Sequence, residues 1–170
     1  MNIRAVFFLL LICLNSCSKE CTLKRIPENV FELKKIKERN ILSCEKETDT
    51  LIFTDEYDIY TKESYKGIMK LEECGHSKSY TCEFRKEPIQ VCLDKNNEKN
   101  LELSVYGWFK NLSNTKSIIL TEGELSKNKE YVFHRNTNCD SLKSKIKEVV
   151  LRGYIIKSIT TLDNKKWTLN

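Results

Sequence analysis

The sequence predicts an α+β fold that is predominantly antiparallel β, arranged as a barrel or a sandwich, with one helix near residues 140–150. Three observations predict it. From Thr48 onward, short runs rich in branched and aromatic residues alternate with polar breaks such as "DKNNEKN" and "NLSNTK", as strands joined by turns do. One later stretch, "CDSLKSKIKEVV", changes period from every second residue to every third or fourth. The 170 residues include only five glycines and two prolines, with no repeat and no low-complexity tract, so one compact unit is expected.

The elements follow in order. Residues 1–16 hold one charge, Arg4, then ten consecutive apolar residues from Ala5 to Leu14, then Asn15 and Ser16. A charged start, a short apolar middle and a small-residue exit form an export signal. The run is too short to span a bilayer, which takes about 20 residues, and no later segment approaches that length. Residues 17–27 read as an anchor and tether, and 28–170 as the domain. Its first element, "PENVFELKKIKERN", opens on Pro27 at a favoured helix start and places Val30, Leu33 and Ile36 at near-helical spacing, with a strand as the alternative.

Strands are then expected in "TLIFTDEYDIYT", "YKGIMKL", "SYTCEF", "IQVCLD", "LELSVYGWF", "SIILTEG" and "EYVFHRN". In "CDSLKSKIKEVV", Asp140 or Ser141 can cap a helix whose face carries Leu142, Ile146, Val149 and Val150. "GYIIKSITT" and "KKWTLN" close the chain as a hairpin through "LDN". From Leu101 the order is three strands, a helix and two strands, and "VYGWF" and "LRGYI" each set a glycine before an aromatic, where a strand can bend sharply. That order resembles an OB-type barrel; a lipocalin-like or sandwich sheet built from all the strands is the alternative.

Charge narrows the partners. The formal net charge is +5, and the loss of Arg4 with the leader lowers it to +4, from 28 bases against 24 acids. The densest basic stretch, "LKKIKER", includes Glu38 and reads as a solvated face, so no nucleic-acid partner is expected.

Eight cysteines stand at 13, 17, 21, 44, 74, 82, 92 and 139, and Cys13 leaves with the leader. Seven would remain, an awkward number in an oxidising compartment. "LNSC", Leu14 to Cys17, stands directly after the apolar run and resembles the lipobox of bacterial lipoproteins: a branched apolar residue three before the cysteine and a small one just before it. The resemblance implies that Cys17 becomes an acylated N-terminus, which removes it from the thiol pool. Six cysteines, Cys21, Cys44, Cys74, Cys82, Cys92 and Cys139, are then disulfide candidates, enough for three bridges. An ordinary secretory signal cleaved just after Cys17 would leave the same six. Six allow 15 pairings. Folding "YTCEFRKEPIQVCLD" about Glu87 sets Cys82 opposite Cys92, with Cys74 as a rival for Cys82.

The resemblance also implies an address. Ser18 is not the Asp associated with inner-membrane retention, so an outer-membrane protein facing the periplasm is expected, with a secreted protein as the alternative. The expected role is binding or structural rather than enzymatic, toward an envelope protein or small ligand. The alternatives are an envelope hydrolase using His76 or His134 as its catalytic residue and a carrier of a small apolar ligand.

Other chemistry is sparse. His76 in "CGHSKS" and His134 in "YVFHRN" are the only histidines, and neither stands in a nucleophile motif. Zinc on Cys74, His76 and Cys82 lacks the second closely spaced ligand pair such sites use, so no metal and no cofactor are expected. Asp55, Glu56 and Asp58 have no calcium-loop pattern and read as solvated acids. Tyr57, Tyr60, Tyr65 and Trp108 could form an aromatic ligand surface, though strand aromatics more often cover a core. Trp167 is expected to plug the base of the core.

Overall fold

The computed structural model describes residues 23–27, 38–61, 64–66, 69–72, 74–95, 99–107, 117–121, 124, 129–135 and 145–170. They hold twelve strands: β1 (Arg39–Cys44), β2 (Glu47–Thr61), β3 (Ser64–Lys66), β4 (Met69–Glu72), β5 (Gly75–Phe84), β6 (Glu87–Lys95), β7 (Asn100–Gly107), β8 (Ile118–Thr121), β9 (Glu130–His134), β10 (Ile146–Arg152), β11 (Ile155–Thr161) and β12 (Lys166–Leu169). Ten form one antiparallel sheet in the order β8-β7-β6-β5-β2-β1-β12-β11-β10-β9, and β3 and β4 pair as a separate hairpin. Most neighbours in the sheet are consecutive in the chain. The exceptions are β2 with β5, which flank the β3–β4 excursion, and β1 with β12, which joins the first strand to the last.

The sheet curls into a half-barrel. Its edges, β8 and β9, are successive in sequence yet stand at opposite ends of the strand order. Glu124 turns back on β8 by donating its N–H to the Thr121 carbonyl (2.9 Å), and the Tyr131 hydroxyl on β9 donates to the Glu124 carbonyl (2.8 Å). One tyrosine thus links the two edges, and a flat ten-stranded sheet, with neighbours about 4.8 Å apart, could not allow that. Curling lets one core serve both halves. Leu93, Leu103 and Phe84 from one side pack into the same cluster as Leu151, Ile159 and Trp167 from the other. The Tyr80 hydroxyl on β5 reaches across to the Tyr154 carbonyl in the β10–β11 turn (2.6 Å).

Among the described residues there is no helix, and the fold is all-β rather than α+β. The helix expected near 140–150 is corrected by β10: Ile146–Arg152 pairs with β9 on one side and β11 on the other. Residues 139–144 lie outside the described residues. The physical reason for the misreading is a bulge. The register with β11 shifts between Ile146 and Glu148, and one extra residue turns a strand's spacing of two into three. Ile146 and Val149 thereby face the same core at an interval that counterfeits a helical turn, while the branched Ile146, Val149 and Val150 favour the pleated backbone. The earlier expected helix, Pro27 to Asn40, falls mostly outside the described residues, and its last two residues open β1.

The OB-like order is overturned with the helix. β7 and β8 belong to the half-sheet with β5 and β6, whereas β9 to β12 stand beyond β1. The glycine of "LRGYI" does not bend a strand. Arg152 pairs with Ile155, so Gly153 and Tyr154 are the centre of a two-residue turn, and Gly153 at φ 64° takes the first central position, where a II′ turn calls for glycine.

Candidate functional site

The inner face of β5 runs from apolar to polar. Phe84, Cys82 and Tyr80 face the core, and two residues further at each step come Lys78 and His76, both buried. On β2 the register shifts between Phe53 and Asp55, and beyond that bulge Asp58 pairs with Lys78 and Tyr60 with His76. On the other side of β5, Lys95 of β6 stands opposite His76 and is also buried. One end of the half-barrel therefore gathers His76, Lys78, Lys95, Asp58 and Tyr60 on a single face.

Residues 23–27 cross this end as a strap. Ile26 is 2% exposed and belongs to the hydrophobic core, and Leu23 is buried beside it. The Ile26 N–H donates to His76 Nδ1 at 2.6 Å, and the Tyr60 hydroxyl donates to the Leu23 carbonyl at 2.9 Å. The Arg25 guanidinium stacks over the Tyr60 ring at 4.8 Å, and that ring meets the His76 imidazole edge-on at 5.7 Å.

These partners assign the tautomer of His76. A backbone N–H can only donate, so Nδ1 is the acceptor and Nε2 carries the proton. Nε2 lies 2.7 Å from Asp58 Oδ1, and Lys78 Nζ lies 3.1 Å from Asp58 Oδ2, so one carboxylate serves both groups. Partial burial pushes the Asp58 carboxyl up, but the hydrogen bonds from His76 and Lys78 and the Lys78 charge outweigh it and hold the group below the usual carboxylate range. Asp58 is thus the counter-ion of a buried basic pair and not merely a solvated acid.

Both ring nitrogens of His76 are engaged, which leaves no lone pair for a general base. His134 lies exposed on edge strand β9, with Nδ1 3.3 Å from Glu148 Oε2. Among the described residues, no group of three or more His, Cys, Asp or Glu is placed to hold a metal ion. Tyr57 and Tyr60 share no platform: Tyr57 pairs with Ser79 on the outer face and is exposed, whereas Tyr60 pairs with His76 on the inner face. The side chains of Tyr65 and Trp108 lie outside the described residues.

The cysteines divide in an unexpected way. Cys74 is disulfide-bonded, its partner being one of the cysteines outside the described residues, and Cys44, Cys82 and Cys92 are free thiols. Cys17, Cys21 and Cys139 lie outside the described residues. The expected Cys82–Cys92 bridge is corrected by the hairpin register. The turn is Arg85–Lys86, both at positive φ, as a two-residue I′ turn requires, so Cys82 stands opposite Ile89 and Cys92 opposite Ser79. Centring the turn on Glu87 misplaces each partner by three residues. Three is odd, so the two thiols point to opposite faces of the sheet, Cys82 into the core and Cys92 beside Ser79 and Ser104.

Burial pushes the Cys82 thiol up to about 12, and burial together with the nearby Asp94 charge does the same for Cys92 against a hydrogen bond from Ser79. At pH 8 a thiol at about 12 is ionised in only about one molecule in 10⁴, against about one in four at the ordinary value of 8.5. Iodoacetamide labelling of the native protein, read by mass spectrometry, should therefore modify the half-buried Cys44 first and spare Cys82 and Cys92 until the fold is opened with urea. Native labelling of Cys82 or Cys92 at the rate of Cys44 would contradict this placement.

The sequence holds a signal for this site that only the register makes readable. "DIY" and "GHSKS" both alternate, and pairing Asp58 with Lys78 sets Tyr60 against His76; without the bulge on β2, the alternation would place them one residue out of step. No family model matches the chain, and no curated protein and no solved structure matches it.

Proposed function

We propose that this chain is a lipid-anchored domain of a bacterial cell envelope, with a binding or structural role, held through an acylated Cys17. The observation that carries the reading is "LNSC" at Leu14 to Cys17, directly after ten apolar residues. Each buried methylene of an acyl chain contributes about 0.8 kcal/mol, and two or more chains give stable anchoring. The docked strap supports a close attachment. Leu23, six positions beyond Cys17, is already buried, so at about 3.5 Å per residue the domain begins within about 21 Å of the lipid. Ser18 favours the outer membrane, with the domain facing the periplasm.

The interior favours a role for the surface over a carrier's cavity, because Trp167, Tyr80, Phe84 and the leucines of β6 and β7 fill the core. The committed nitrogens of His76 argue against the hydrolase reading. The test is metabolic labelling with a palmitate analogue and detergent phase partition. The natural chain should take the label and enter the detergent phase, and Cys17→Ala should lose both; a Cys17→Ala chain that still partitions with detergent sinks the proposal.

A further inference from the structure

We infer that His76 is a pH-sensitive latch for the strap: binding of a second proton to its ring and docking of residues 23–27 exclude one another at Nδ1. The reasoning starts from the hydrogen bond of 2.6 Å between the Ile26 N–H and Nδ1. That bond needs the Nδ1 lone pair. An imidazolium has none, and both its nitrogens are donors. Protonation therefore turns the best bond of the strap into two N–H groups aimed at each other inside a buried site, His76 being 2% exposed.

The charges around the ring do not relieve that conflict. From β2, Asp58 faces Nε2 and Tyr60 lies against the ring; among the described residues Asp58 is the acid bonded to the ring, and it also holds Lys78, which comes from β5 itself. From β6, Lys95 stands opposite, buried, and from the strap Arg25 lies over Tyr60. A protonated His76 adds a second cation beside Lys78 on the Asp58 carboxylate. Moving the strap away resolves both problems: it removes the competing N–H and admits water to the ring. Further described ties of the strap, Tyr60 to Leu23, Arg25 over Tyr60 and the burial of Leu23 and Ile26, fall in the same short segment and open with it.

The latch is a property of the fold and does not depend on acylation. Under the proposed anchoring, the segment it releases lies six to ten positions beyond Cys17.

Hydrogen exchange read by mass spectrometry on the full chain tests the latch, using protection of the peptide containing Ile26 after correction for the intrinsic pH dependence of exchange. Between about pH 8 and about pH 5, where imidazoles change charge, strap protection should fall by about tenfold or more while the β5–β6 peptides keep theirs. His76→Gln should keep the strap protected at both pH values, because the Gln carbonyl accepts from Ile26, its amide donates to Asp58, and neither titrates. A parallel NMR titration of the His76 ring in the natural chain serves if that variant is unstable: ring protonation and loss of strap protection should follow one curve. The inference is overturned by equal strap protection at both pH values, by a His76→Gln chain that releases the strap with the same pH profile, by a ring that titrates with the strap still docked, or by β5–β6 opening together with the strap.

Discussion

Replacing Trp167 with alanine is expected to cost the domain about 3–5 kcal/mol, a large share of the roughly 5–15 kcal/mol by which such domains are stable. Trp167 is fully buried, at 0% exposure, on the last strand of the chain. Its strand β12 pairs with β11 through Ile159↔Trp167 and with β1 through Leu42↔Leu169, so it closes the seam between the first strand and the last four. The indole packs against Phe84, ring centroids 5.9 Å apart, and the Arg85 guanidinium covers it at 4.3 Å. Arg85 is itself held by Asp49 through Nε to Oδ2 at 2.5 Å. Truncation therefore empties a site shared by both halves of the sheet and uncovers the β5–β6 turn. One term runs the other way. The indole Nε1 is buried without a hydrogen-bond partner, so alanine also relieves a donor left unsatisfied, worth about 1–3 kcal/mol. The cavity and the lost aromatic area, 150–250 Å² for a ring of this kind, outweigh that relief. Urea unfolding followed by circular dichroism should show a much lower midpoint for Trp167→Ala, with Trp167→Phe recovering most of the loss. An unchanged curve would mean that the seam does not depend on the indole.

Much of the strand content was legible because it depends on local pattern. "IQVCLD" and "LELSVY" alternate between the core face and the opposite face, and they fold as β6 and β7 with Ile89, Val91, Leu93, Leu101, Leu103 and Val105 inward. What a sequence does not carry locally is register. Two of the register shifts, on β2 near Thr54 and on β10 near Lys147, each insert one residue. The second made a strand look helical, and the first hid the pairing of Asp58 with Lys78 and His76. The β5–β6 turn failed for a related reason. Arg85 and Lys86 are poor residues for left-handed backbone, so glutamate beside proline looked the better corner. The fold accepts the cost of Arg85 at positive φ because its guanidinium then reaches Asp49 and Trp167. Local propensity lost to a tertiary contact there. The candidate site followed the same rule: each residue was visible, and only the paired strands and the strap brought them together.

The strap gives the sharpest division between a tether and a part of the fold. Were residues 23–27 a loose leader to the domain, Ile26→Ala would leave stability within a few tenths of a kcal/mol, as exposed substitutions do. The structure makes the opposite demand. Ile26 is one of the largest fully buried side chains of the domain, and its own N–H is the donor to His76. Removing a buried isoleucine to alanine costs about 2–5 kcal/mol, and here the loss also loosens the segment that bonds to His76 and Tyr60. Its exposed neighbour supplies the control. Arg25 touches Tyr60 only through its guanidinium, so Arg25→Ala should cost no more than about 1 kcal/mol, the usual worth of an exposed cation over a ring. Equilibrium urea unfolding of the two variants under one set of conditions separates the cases. A large loss for Ile26→Ala beside a small one for Arg25→Ala places the start of the folded domain at the strap, only a few residues beyond Cys17. Equal, small losses would return the segment to the tether and move the domain boundary toward β1.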